Sequence, residues 1–296
     1  MLTSELSGGQ ASGLRNMAQP TPVRVISVTS GKGGVGKTNT TANMAISLAQ
    51  QGNDVLLLDA DLGLANVDVL LGIQATSNLS HVISGERSLE EIMVRGPEGI
   101  RIIPASSGVK DMVQLNHAEH AGVIRAFSEL SFNPDILLID TAAGITDSVV
   151  TFVKASHEVI VVVCDEPASI TDAYAMIKLL SREHDIHRFR VLANMVHSAQ
   201  EGMDLYKKLL KVTDRFLDVA LNYIGAVPYD DYLKKAIKKQ RAVVDAYPRC
   251  KASMAFKKIA QKSAQWPVPR TASGGIEFFV ERLFRNSNEK VATVYE

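Results

Sequence analysis

The stretch VRVISVTSGKGGVGKT, Val23 to Thr38, decides the fold. Its first half, Val23–Thr29, is a short β-branched run of the kind buried on both faces of a parallel sheet. Its second half, Gly31-Lys32-Gly33-Gly34-Val35-Gly36-Lys37-Thr38, fits GxxxxGK[ST], with helix-forming sequence starting at Thr38. A strand before and a helix after is the context this motif needs. Glycines let the backbone curl so that its N–H groups converge on an anion at the helix N-terminus. Lys37 then reaches the β- and γ-phosphates of a nucleotide, and the Thr38 hydroxyl is a Mg²⁺ ligand. The expected cradle is Gly31, Gly33, Gly34, Val35, Gly36, Lys37, Thr38 and Asn39, and the expected ligand is a nucleotide with Mg²⁺.

Outward from this loop, similar apolar runs recur at Val55–Asp59, Ile100–Pro104, Ile136–Asp140, Val159–Cys164, Arg190–Met195 and Tyr223–Val227. Helical patterns separate most of them: Thr38–Gln51, His117–Leu130, Asp147–Ala155, Thr171–Glu183 and Asp204–Leu217. Tyr232–Gln240 and Lys251–Lys262 follow the last run. Strand–helix alternation over this length predicts an α/β fold: a doubly wound, mostly parallel sheet with helices on both faces, occupying residues 21–266.

Composition narrows the function classes. The 296 residues carry 32 Lys plus Arg and 32 Asp plus Glu, a formal net charge of zero. That argues against nucleic-acid binding by the whole surface, and no specific nucleic acid is expected. The basic run Lys234–Arg241 reads first as a solvated helix face. The only cysteines are Cys164 and Cys250, without CxxC, which disfavours a disulfide framework, a zinc ribbon or an iron–sulfur carrier. No apolar run has the ~20 residues of a membrane span. The first residues lack a basic region and apolar core, so no signal peptide is read there, and a cytoplasmic protein is expected.

Two carboxylate motifs close strands: Asp59-Ala60-Asp61-Leu62-Gly63 and Leu138-Ile139-Asp140-Thr141-Ala142-Ala143-Gly144. Ligands of open parallel sheets bind at the carboxyl ends of strands, so these Asp residues are expected to face the phosphate loop. There an Asp holds Mg²⁺ through water or orients an attacking water, although Asp is also a good helix N-cap. Asn194, at the end of its run, and Pro228 and Tyr229, just after theirs, are candidates for the base end of the nucleotide.

Lys32, placed directly after the first glycine, is unusual for a generic phosphate loop. The loop KGGVGKT resembles the deviant phosphate loop of the MinD/ParA class of ATPases. The resemblance covers most of residues 22–262. It implies a slow ATPase switch that dimerises around ATP, Lys32 reaching the partner subunit's nucleotide. It implies catalytic roles for Lys32, Lys37 and Asp61, the last positioning water, with Asp59 and Asp140 in the outer shell of the metal held by Thr38. Asn194, Pro228 and Tyr229 match where that class holds adenine.

Within the class, three stretches resemble the FlhG/FleN branch, MinD-like regulators of flagellar number and placement. They are Asp61–Asp68, Asp140–Ile145, and Cys164–Pro167 with Ser169–Tyr174. The N-terminal Gln10-Ala11-Ser12-Gly13-Leu14-Arg15 resembles the DQAxxLR segment by which that branch stimulates an FlhF-like GTPase, with Gly9 in place of the acidic residue. The implied partners are that GTPase through Gln10, Leu14 and Arg15, flagellar switch (C-ring) proteins, and a flagellar transcription regulator. The alternative is a ParA-type partition ATPase that binds DNA nonspecifically.

Both ends stand apart from the middle. Residues 1–20 read as a partner-activating segment or a polar tail. Residues 267–275, with Pro267, Pro269, Ser273, Gly274 and Gly275, read as a linker. In residues 276–286, Ile276, Phe279, Val280, Leu283 and Phe284 recur at i, i+3, i+4, i+7 and i+8, one apolar stripe. Two readings stay open for it. One is an interfacial helix on anionic lipid, which would put the ATP form peripherally on the inner membrane. The other is a helix docked on the protein's own surface.

Overall fold

The computed structural model describes residues 22–61, 66–104, 117–267, 276 and 279–281. Its strands are β1 (Arg24–Ser30), β2 (Val55–Ala60), β3 (Val94–Arg95), β4 (Arg101–Ile103), β5 (Ile136–Ala143), β6 (Glu158–Cys164), β7 (Arg188–Val196) and β8 (Ala220–Pro228). They form one sheet in the order β3-β4-β2-β5-β1-β6-β7-β8. Pairing is parallel throughout except between β3 and β4. The helices are α1 (Lys37–Ala49), α2 (Val67–Leu71), α3 (Leu79–Ile83), α4 (Leu89–Ile92), α5 (His117–Ser128), α6 (Asp147–Ala155), α7 (Pro167–His184), α8 (Ala199–Phe216), α9 (Asp231–Lys238), α10 (Val243–Ala246) and α11 (Lys251–Ser263).

The central strands are buried along their whole length because both pleat faces are covered. Ile160 and Val162 of β6 join one core with Leu57, Leu138, Met44 of α1 and Phe256 of α11. Their neighbours Val161 and Val163 join another with Met176 and Ile177 of α7 and Leu205 of α8. Beside that second core, Leu56 and Leu58 of β2 and Leu137 and Ile139 of β5 pack with α3 to α6. The expected doubly wound α/β sheet is therefore the observed one.

Local chemistry sets several element ends. The helix expected at Asp204 begins at Ala199, because the Ser198 hydroxyl accepts from the Glu201 amide at 3.1 Å and caps it. The helix expected at Thr171 begins at Pro167, whose missing N–H costs nothing in the first turn.

Three positions of the C-terminal stripe are described. Ile276, Phe279 and Val280 are buried, at 4%, 3% and 0% exposure, in the core that holds Val82, Val123, Phe127 and Phe152. Glu281 is exposed. In this structure these three positions face protein.

Candidate phosphate-loop ATPase site

The β-sheet register assembles the site. Asp59 pairs with Asp140 across β2 and β5, so two carboxylates from distant motifs stand side by side at the strand ends. β1 lies between β5 and β6 and feeds the loop directly above them. This is the point where the winding of the sheet changes direction, the usual ligand crevice of open α/β sheets.

At two positions of the loop a Cβ would collide with its surroundings. A Cβ on Gly31 would stand 2.3 Å from the backbone of Asp172 in α7, a contact that only movement of the helix relieves. Gly36 has a φ of +89°, and a Cβ there would meet Asn194 Nδ2 at 2.4 Å. Two of the loop's carbonyls are fixed from outside. Asn194 Nδ2 donates to the Val35 carbonyl at 2.7 Å, and Ser30 Oγ donates to the Lys32 carbonyl at 2.8 Å. Gly31→Ala is expected to weaken ADP binding at least tenfold by prising the loop off α7, measured by calorimetric titration.

The charges sort by burial. Lys37 is buried, at 8% exposure, and its charge acts on Asp140. Asp140 is almost fully buried. Thr41 donates to its Oδ1 at 2.9 Å, while its Oδ2 has no hydrogen-bond partner. Burial pushes the Asp140 carboxyl up to about 6, against the opposing pull of Lys37 and of hydrogen bonds from Thr38 and Thr41. Asp59 is pushed up to about 7 by burial and by the neighbouring Asp140. Its oxygens accept from the amides of Asp61, Asn66 and Val67 at 3.1, 3.2 and 3.3 Å. Asp59 thus ties the backbone at Asp61 to the start of α2.

Lys32 is disposed differently. Its ammonium is exposed and lies 2.5 Å from Glu166 Oε2, a carboxylate on the residue just before α7. That contact raises the lysine pKa, the hydrogen bond first and the charge second.

At the base end, Asn194 lies near the end of β7, paired with Val227, and Pro228 ends β8 in register with Val196, the last residue of β7. Asn194 is buried and its Oδ1 has no partner, an acceptor suited to an exocyclic amine. Tyr229 is exposed, and Lys234 of α9 bonds its hydroxyl. Asn39 Oδ1, in the first turn of α1, is likewise buried without a partner. These orphaned acceptors fit a Mg²⁺–nucleotide: Asp140 Oδ2 suits a cation or its water, and Asn194 Oδ1 an adenine amine.

The sequence reading missed Thr41 as a donor to Asp140, Glu166 as the partner of Lys32, and Cys164, whose thiol touches the Val35 carbonyl at 3.6 Å. Thr41 follows Thr38 by three residues on one helix face, a signal that was available. The Glu166 contact had none, since 134 residues separate it from Lys32. Gln10, Leu14, Arg15, Leu283 and Phe284 lie outside the described residues. No helix among the described residues is long and apolar enough to cross a membrane.

Comparison with known proteins supports the assignment. Residues 22–264 match the ParA family model, described as NUBPL iron-transfer P-loop NTPase. The chain is 59% identical over 273 residues to the antiactivator FleN of Pseudomonas aeruginosa, covering 92% of this chain and 98% of that protein. It is 35% identical to the flagellum site-determining protein YlxH of Helicobacter pylori, covering 88% and 90%. Among solved structures, MinD of Pyrococcus horikoshii complexed with Mg-ADP superposes with a TM-score of 0.66 at 25% identity, covering 82% of this chain and 96% of that one. With the phosphate loop, paired carboxylates and deviant lysine in one crevice, the chain belongs to the MinD/ParA family of P-loop ATPases, in its FleN/FlhG branch.

Proposed function

We propose that this ATPase is a dimerising switch that regulates flagellar number and placement. The carrying observation is the contrast between its two loop lysines. Lys37 is buried beside Asp140, whereas Lys32 is exposed and occupied by Glu166. A lysine held outside its own cradle is available to a nucleotide presented by a second subunit, where it would act as an arginine finger does. The names of the relatives in P. aeruginosa and H. pylori support the flagellar context.

In this reading, the loop from Gly31 to Asn39 binds the phosphates and Lys37 offsets their charge. Thr38 would hold Mg²⁺, with Asp59 and Asp140 in its outer shell. The ion neutralises phosphate charge when bound. Asp61, its backbone amide bonded to Asp59, would orient the attacking water. Asn194 accepts from the adenine amine, with Pro228 and Tyr229 as the opposite wall. Partners would be an FlhF-like GTPase engaged by Gln10, Leu14 and Arg15, C-ring proteins, and a flagellar transcription regulator.

The C-terminal stripe supplies the membrane arm of the proposal. Ile276, Phe279 and Val280 are held in the core of the single subunit. Dimerisation would release them, with Leu283 and Phe284, onto anionic lipid. Two helices on one dimer bind more tightly than one by ~10²–10⁴-fold when both reach one bilayer. Wild-type protein is expected to sediment with anionic liposomes in ATP and to stay in solution in ADP. Phe279→Asp should abolish the ATP-dependent fraction. Equal sedimentation in both nucleotides would overturn the switch.

A further inference from the structure

A large cavity lies away from the phosphate loop. It is a groove of about 1410 Å³ over the open edge of β8, walled by the start of α8 on one side and by α11 and the end of α1 on the other. Consecutive β8 residues from Tyr223 to Ala226 line it. Successive residues of a strand face opposite ways, so a groove that meets all of them runs along the edge itself. No other strand covers this edge among the described residues.

Three features of the edge are relevant. β8, ALNYIGAVP, carries no charged side chain, the commonest protection of an exposed edge. Its floor is apolar: Ile224 and Ile259 are buried beneath it, and Met254 stands 58% exposed on the α11 wall. Its rim is basic. Lys251, Lys257, Lys258 and Lys262 line the groove, and no Asp or Glu does. In a chain whose acids and bases balance at 32 each, that segregation gives the groove a sign.

The edge is also held by replaceable contacts. Tyr206 donates its hydroxyl to the Leu221 carbonyl at 2.8 Å, and Lys262 donates its ammonium to the Ile224 carbonyl at 3.2 Å. Side-chain donors there satisfy carbonyls of the kind an added strand would engage.

We propose that the β8 groove is a docking site for an extended acidic peptide of a partner protein, which adds a ninth strand to the sheet. Main-chain hydrogen bonds to β8 would supply affinity. Alternate apolar side chains would enter the floor, and Asp or Glu between them would face the lysine rim. A peptide fits better than a nucleic acid because the large exposed apolar side chain of the groove is the aliphatic thioether Met254, whereas its tyrosine, Tyr223, is only half-exposed and already packs on Tyr206. Pro228, at one end of the groove, is shared with the residues assigned to ATP, but the lysine rim and Met254 are not, so failure of the docking site would leave the ATPase reading intact.

The test is selection of a random twelve-residue peptide library displayed on phage against the full-length protein. The enriched peptides are then measured by fluorescence anisotropy. The expected winners alternate apolar residues with Asp or Glu and lack a central proline. Their affinity should fall at least tenfold in Lys251→Glu/Lys258→Glu and in Met254→Asp, with ADP affinity and melting temperature unchanged. A central proline placed in the best peptide should cost a similar factor, since it deletes a ladder hydrogen bond. Enrichment without acidic residues would overturn the proposal, as would full binding by the charge-reversed protein or by the proline peptide. Tight binding of a 20-nucleotide single-stranded DNA, lost in the same charge reversal, would reassign the groove to nucleic acid.

Discussion

Lys32→Ala is expected to bind ATP with near wild-type affinity and to lose about 10³-fold in turnover, the low end of what a trans-acting cation supplies in phosphoryl transfer. The separation follows from where the two loop lysines sit. Lys37 is buried against Asp140 and belongs to the ground-state cradle. Lys32 is exposed and bonded to Glu166 in its own subunit. Removing it takes nothing from that cradle, but it removes a charge that acts only when two subunits close on ATP. Losing an interaction made only once two subunits have closed on ATP lowers turnover without loosening ATP from the single subunit. Light scattering should show the variant as a monomer in ATP where wild type dimerises. Glu166→Gln makes the reciprocal case. It weakens the resting contact of Lys32, so dimerisation should occur at lower ATP concentration. A fully active Lys32→Ala monomer would sink the trans assignment.

How much of this was legible in the sequence depends on whether the signal was local. The phosphate loop was, because a strand, a glycine-rich turn and a helix start occupy sixteen consecutive residues. The central strands were too, since burial on both faces leaves a continuous apolar run such as Val159–Cys164. Short elements escaped. β3 is two residues long, and α2, α3, α4 and α10 are four or five residues each, below the length at which periodicity means anything. They hold because Leu79, Leu89, Val243 and their neighbours are buried in cores whose other members come from far along the chain.

The site shows the same division. Residue types and motif order gave Lys37, Thr38, Asp59, Asp61, Asp140 and Asn194 as candidates. The placement of Asp59 beside Asp140 is a matter of register between β2 and β5, and no spacing in the sequence carries it. The C-terminal stripe marks the limit most plainly. Its i, i+3, i+4 pattern is the same whether the apolar face meets lipid or protein. Only the tertiary structure puts Ile276, Phe279 and Val280 against Phe127 and Phe152.

Asp140→Asn should make the nucleotide-free protein more stable and the Mg²⁺–nucleotide complex less so. The carboxylate is almost fully buried, one of its oxygens has no hydrogen-bond partner, and Asp59 stands next to it in register. A buried ionised group without full hydrogen bonding carries a desolvation penalty of about 1–3 kcal/mol or more. Burial raises its pKa to about 6, which means the site favours the neutral form. Asparagine keeps the shape and the acceptor for Thr41 and removes the charge, so the melting temperature in EDTA should rise by about 2–6 °C. ADP with EDTA should stabilise both proteins alike, since the phosphate cradle is untouched. Adding Mg²⁺ should then raise wild type further and leave the variant where it was, because a neutral amide is a poor ligand for a hard cation or its water. The two melting curves should therefore exchange order between EDTA and Mg²⁺–ADP in thermal-shift measurements. A variant less stable than wild type in EDTA would show that the Asp140 charge is compensated within the fold. A variant that kept the Mg²⁺-dependent increment would show that the metal is held elsewhere.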